Sequence, residues 1–145
     1  MSAYRPDVEV LRAMIRKAFE KLRVAEHDLA HGFAGDASSR AYYAAFHAVS
    51  AVLAERSMVF SSHAHVLGAF NREFVKAGSF SADAFRTLQR LFDDRQSADY
   101  NWTVDIDHET AGRDVEDART IVEACCSHLE NRTGQGLREE PGSGR

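Results

Sequence analysis

Between Pro6 and Thr133 the apolar residues recur in threes and fours, and no stretch alternates as a strand does. The first stripe is Val8, Leu11, Ile15, Ala18, Leu22, Ala25 and Leu29, the one-sided pattern of an amphipathic helix. It predicts a helix that ends near His31 and Gly32, with Gly32 and Gly35 as stop signals. Asp36 reads as the N-cap of a second helix, which reaches about Arg56 and takes its bulk from Tyr42, Ala45, Val49, Val52 and Leu53. Ser61 or Ser62 can cap a third, carrying Val66, Leu67, Phe70 and Phe74 and stopping at Gly78. Ser81 reads as the cap of a fourth, with Phe85, Leu88, Leu91 and Phe92, fraying near Tyr100. Asn101 to Asp107 breaks the pattern. Asp107 or His108 then opens a fifth helix through Val115, Ala118, Ile121, Val122, Cys125 and Leu129. Five amphipathic helices with short connections predict an all-α antiparallel helical bundle, one domain over residues 1–132. Residues 133–145 are Gly- and charge-rich and offer nothing for a core, which predicts a disordered C-terminal tail.

A chain of 145 residues can bury a sufficient core without staples. Its formal net charge of −4 argues against sequence-independent coating of nucleic acid. No DNA partner is expected, although a local basic cleft is compatible with that balance. Cys125 and Cys126 are adjacent, a spacing that makes neither a normal bridge nor a zinc site. Free thiols in a reducing compartment are expected. No apolar run has the length of a signal peptide core or of a roughly 20-residue membrane span. The expected location is cytoplasmic, away from membranes.

Two polar constellations stand out against the apolar pattern. Arg40, Tyr43 and His47 lie on one side of the alanine-rich second helix, because residues seven apart return to within about 20°. They either form a hydrogen-bonded ladder that fixes helix register or line a functional groove. The need to satisfy buried polar groups favours the ladder. The second constellation runs from Asp93 to Trp102. Arg95 and Asp99 are one turn apart and can pair. Tyr100 is about 140° round the helix from Arg95, so the two converge only if the helix ends or bends there. The alternative is a surface ion pair with a helix-end aromatic. His63 and His65 sit at a helix start, where capping or packing is expected; a metal would need a third ligand. Asp105, Asp107 and His108 make a helix-start cluster. There is no glycine-rich phosphate loop, nucleophile elbow or metalloprotease helix. Neither a cofactor nor a metal is expected.

The stretch Ser39-Arg40-Ala41-Tyr42-Tyr43-Ala44-Ala45-Phe46-His47-Ala48 resembles the S-R-x-Y-Y-A-x-F-H-A signature of HEPN-domain proteins, in particular the small stand-alone bacterial and archaeal group. Three further segments match in order. Ser62-His63 resembles the family's T/S-H, Phe70 to Val75 its F-x-x-x-F-V, and Arg95 to Tyr100 its R-x-x-A-D-Y box. Together they cover about residues 8–130. The resemblance implies a helical bundle, usually a homodimer whose late-helix motifs face one cleft. Many such proteins are metal-independent endoribonucleases with an R-x4-6-H motif, often toxins paired with a small nucleotidyltransferase antitoxin. There the arginine stabilises the charged phosphorane and the histidine moves the proton.

Carried over residue by residue, that pattern gives Arg95, Asp99 and Tyr100 as the candidate catalytic set. Tyr100 stands where the motif histidine belongs, and a free phenol, with a pKa near 10, is a poor base at neutral pH. Trp102 stands where toxins of the antitoxin-paired type carry a further tyrosine. Arg40 and His47 satisfy R-x6-H literally, but on the second helix, which reads as a coincidence of spacing. Arg40, Tyr43, His47 and His63 are candidates for RNA or nucleotide contact or for a structural polar ladder. Two functions follow as expectations. One is an RNA-directed HEPN protein, a ribonuclease toxin or a weakened relative. The other is a non-catalytic binding or dimerisation module for a nucleotide or a partner protein.

Overall fold

The computed structural model describes residues 6–138. They form five α-helices: α1 (Val8–Ala30), α2 (Ala34–Glu55), α3 (His63–Phe70), α4 (Ala84–Tyr100) and α5 (His108–Thr133). No strand occurs among the described residues. The expected all-α bundle is what the chain adopts. A π-helical turn, Asn71–Val75, extends α3 and carries Phe74 into the core.

Local chemistry explains most of the boundaries. Asp7 caps α1, its Oδ1 accepting from the Val10 N–H at 3.1 Å. Gly32 ends the turn after α1 with φ +87°, a conformation that costs glycine little. Ser62 caps α3, its Oγ accepting from the His65 N–H at 3.3 Å. Asp107 caps α5 through the Thr110 N–H at 2.7 Å. Two expected caps are elsewhere. α2 begins at Ala34, ahead of Asp36, because the Phe33 N–H closes back on the Asp28 carbonyl at 2.8 Å and the next helix starts at once. Gly35 is therefore inside α2 and not a stop. α4 begins after Asp83, and Ser81 contributes only its carbonyl, which accepts from the Ala84 N–H at 3.0 Å.

α2 is the axis of the bundle. Thirteen of its 22 residues are buried, as expected of a helix covered on several sides. Ala41, Ala44, Ala45, Ala48 and Ala51 have no accessible surface. They let α1, α5 and α4 pack closely round α2, while α3 covers part of its length. Polar ties pin the outer helices. Arg90 of α4 donates to Asp117 at 2.6 Å and to the buried Asp114 of α5 at 3.3 Å. Arg132 of α5 pairs with Glu55 of α2 at 3.2 Å, and Arg119 of α5 with Glu26 of α1.

The expected tail from residue 133 is corrected in its first part. Gly134 ends α5 in the left-handed region, and Leu137 is fully buried. The Glu130 carboxylate accepts from the Leu137 N–H at 2.8 Å, and Arg12 donates to the Gly136 carbonyl at 3.0 Å. Arg138 lies over the Phe19 ring at 4.5 Å. One leucine suffices because its neighbouring backbone groups find partners on α5 and α1. The rest of the expected tail, 139–145, lies outside the described residues. Among the described residues no helix is long and apolar enough to cross a membrane.

Candidate functional site

α2, α3 and α4 bring their polar residues together on one side of the bundle, and Arg95 is at the centre. Its guanidinium carbon lies 5.1 Å from the centre of the Tyr42 ring, 5.2 Å from Tyr43 and 5.3 Å from Phe92. Arg95 is only 6% exposed. Such a cage favours a cation through the ring quadrupoles, yet it supplies no counter-charge. The nearest carboxylate, Asp99, is 3.9 Å away, beyond hydrogen-bond distance, and accepts a hydrogen bond from the Ser39 hydroxyl at 3.3 Å. Arg95 Nε is buried with no hydrogen-bond partner.

His63 comes to this cluster from the first residue of α3. Its ring stacks on Phe46 with centres 4.2 Å apart and planes 13° from parallel. Its Nδ1 lies 2.7 Å from the Tyr42 hydroxyl. Tyr42 is fully buried. Burial pushes its phenol above the usual tyrosine range, while the charge of Arg95 acts in the opposite direction. Burial, then the charge of Arg95, hold His63 below the ordinary histidine value. Burial, then Lys17, Lys21 and His63, do the same to His47. Both imidazoles are therefore neutral at pH 7. The positive charges on this side are therefore those of Lys17 and Lys21 of α1, which act on His47, and of Arg95 of α4, which acts on His63. His47 also lines an open groove of ≈ 460 Å³ with Val10, Met14 and Lys17.

The candidates of the sequence are not all brought together. Arg95 and Asp99 are paired, though loosely. Tyr100 is not part of the cage: α4 stays helical to its end and leaves Tyr100 70% exposed. Arg40, Tyr43 and His47 share a side of α2, but Arg40 is exposed and, among the described residues, no hydrogen bond joins the three. The expected ladder is thus replaced by another, Tyr42 to His63, with Arg95 beside it. Tyr42 and Phe92, which the sequence pattern took for core bulk, and Phe46, which it gave no role, line this cluster. The usable signal was Tyr42 itself, because a phenol buried among alanines needs a partner. His65 is exposed and serves the cap of α3 through its backbone. Among the described residues no three His, Cys, Asp or Glu side chains are grouped to hold a metal. Cys125 and Cys126 are free and buried; burial pushes both thiols up, Cys126 to about 11, which keeps them protonated and inert.

Comparison with known proteins adds a family. The model of the HEPN domain matches residues 11–130. A UPF0332 protein from Thermotoga maritima is 38% identical over 88 residues, covering 61% of this chain and 67% of the relative. Two proteins from Methanocaldococcus jannaschii named putative toxins also match. Putative toxin MJ0142 is 33% identical over 101 residues, 70% of this chain and 69% of the relative. Putative toxin MJ0605 is 33% identical over 92 residues, 63% of this chain and 69% of the relative.

Proposed function

This chain belongs to the HEPN-domain family, and from that premise we propose that it is an RNA-directed protein in which Arg95 holds a phosphate group. The observation that carries the reading is the state of Arg95, a buried guanidinium caged by three rings, with its carboxylate at 3.9 Å and its Nε unpartnered. A cation so loosely neutralised by its own chain is ready for an anion. Lys17 and Lys21 of α1 add positive charge near His47, and the half-buried rings of Tyr43 and Phe46 offer faces on which bases can stack.

In the catalytic form of this reading the protein is a metal-independent endoribonuclease. Arg95 stabilises the negative charge that gathers on the phosphoryl oxygens as the ribose 2′-oxygen, giving its proton to water, bonds to phosphorus and the P–O5′ bond breaks, leaving a 2′,3′-cyclic phosphate and a 5′-hydroxyl protonated from water. The names of the two archaeal relatives support a toxin setting. In this reading a nucleotidyltransferase antitoxin is the partner and a homodimer the working form. A second reading, a non-catalytic module that binds RNA, a nucleotide or a partner protein, is favoured by one feature. Tyr100, which follows Asp99 and stands where the motif histidine would serve, is an exposed phenol.

The test is induced expression of wild type and Arg95→Ala in a bacterial host, followed by assay of both purified proteins on RNA with a chelator present. Wild type should slow growth and shorten RNA without added metal. Losing one preorganised donor should lower the rate about 10²–10³-fold, and Arg95→Lys should keep part of the activity because it keeps the charge but not the planar fork. Unchanged cleavage by Arg95→Ala would move the site elsewhere. Binding of RNA by folded wild type without cleavage would select the second reading.

A further inference from the structure

Tyr42, His63 and Arg95 are set so that each fixes the next. Tyr42 is fully buried, so its hydroxyl hydrogen needs an acceptor. Arg95, beside the same phenol, can only donate. His63 Nδ1, 2.7 Å from the hydroxyl, is the acceptor within reach. That bond places the proton of the neutral imidazole on Nε2. Phe46, stacked on the ring at 4.2 Å, restrains its plane. His63 is only half-buried at the start of α3, so its outer edge reaches solvent where the buried Arg95 scarcely does.

We propose that His63 is a phosphate-binding residue, which presents a fixed neutral Nε2–H to a phosphodiester oxygen while Arg95 supplies the charge behind it, and that Tyr42 is the residue that positions it. The proposal rests on the reading of this face as RNA-directed and names the group that meets the RNA first. The chemistry suits an anion on three counts. The donor is aimed by a hydrogen bond and a stack, and so loses little freedom on binding. The guanidinium beside it has no full counter-charge. The nearby charges of Lys17 and Lys21, which act on His47, carry the same sign. No proton has to move for binding, which separates this role from acid–base catalysis.

The experiment is nitrogen NMR of the histidine rings at pH 7.5, with a short 2′-O-methyl oligoribonucleotide as an uncleavable probe and inorganic phosphate as the small-anion arm. In free wild type, His63 should be the neutral Nε2–H tautomer. The oligoribonucleotide should move its Nε2 signal saturably, and inorganic phosphate should move it only at far higher concentration. Tyr42→Phe keeps the ring in the core but removes the bond; it should give mixed tautomers at His63 and bind the probe about three- to tenfold more weakly. His63→Gln, which keeps a donor, should bind more tightly than His63→Ala. An Nδ1–H tautomer in folded wild type overturns the proposal. So does probe binding that moves other signals but leaves His63 still, a result that keeps the RNA reading. Binding of inorganic phosphate at His63 with no response to the oligoribonucleotide also overturns it. No response to either anion sinks the RNA reading along with it.

Discussion

Asp114 has no accessible surface and sits among Ser38, which donates to it at 2.7 Å, Arg90 at 3.3 Å and the nearby Asp94. Burial, with Asp94 adding to it, pushes the Asp114 carboxyl up to about 7. A carboxyl raised above its unfolded value of roughly 4 holds an extra proton in the folded state between those values. Its contribution to stability is therefore complete below about pH 4 and is lost as pH rises through 7. His47, His63 and His128, held below their ordinary value by burial, run the other way. The informative comparison is with Asp114→Asn, which keeps the acceptor and does not titrate. Asp114→Asn should gain in thermal midpoint relative to wild type as pH is raised from 4 to 8. His47→Ala separates the two views of the Arg40–Tyr43–His47 stripe. A hydrogen-bonded ladder would make it cost about 1–3 kcal/mol. With no such bonds among the three, the cost should be about 1 kcal/mol or less, mostly packing. Tyr100→Phe, at an exposed helix end, should leave stability within about 0.5 kcal/mol of wild type in the same melts.

Among the elements, α2 has the least room to change. Ala45 has no accessible surface in a helix packed on by α1, α4 and α5. Ala45→Leu should lower stability by about 1–3 kcal/mol or more through overpacking, read as a drop in the urea midpoint with an unchanged slope. The π turn gives the converse case. Phe74 fills the core from it, packed edge-on to Phe80 and His128, and Phe74→Ala should cost about 3–5 kcal/mol. The spacing of apolar residues located all five helices, because each presents a continuous face to the core. Gly32, Ser62 and Asp107 were legible as punctuation because their chemistry is local. The start of α2 was not, since it is set by a backbone bond from Phe33 to Asp28 and not by the side chain of Asp36. Leu137 was missed because one apolar residue makes no periodicity. In the site, Arg95 and Asp99 were visible as a helical pair. The bond from Tyr42 to His63 was not, because it joins residues 21 apart on two helices and depends on how α3 docks against α2.

At the scale of the whole molecule, the alanine-rich α2 is packed inside the protomer by α1, α4 and α5, so the proposed homodimer has to use another surface. Phe33, Tyr100, Trp102 and Val104 are all exposed, and the turn after α1 meets the loop after α4 at a shared hollow lined by Phe33, Gly35, Ala98 and Val104. Light scattering should give about twice the 16.2 kDa chain mass at micromolar concentration, and Trp102→Glu should shift the population toward monomer. Trp102 is the single tryptophan of the chain and is 93% exposed, on a loop tied by Asn101 to Thr103. Its indole already meets water in the folded protomer, so its emission colour should change little when the bundle unfolds. Fluorescence excited at the indole is therefore nearly blind to the melting of this protein and sharply sensitive to anything that covers one loop, while loss of helical ellipticity is the signal that follows the core.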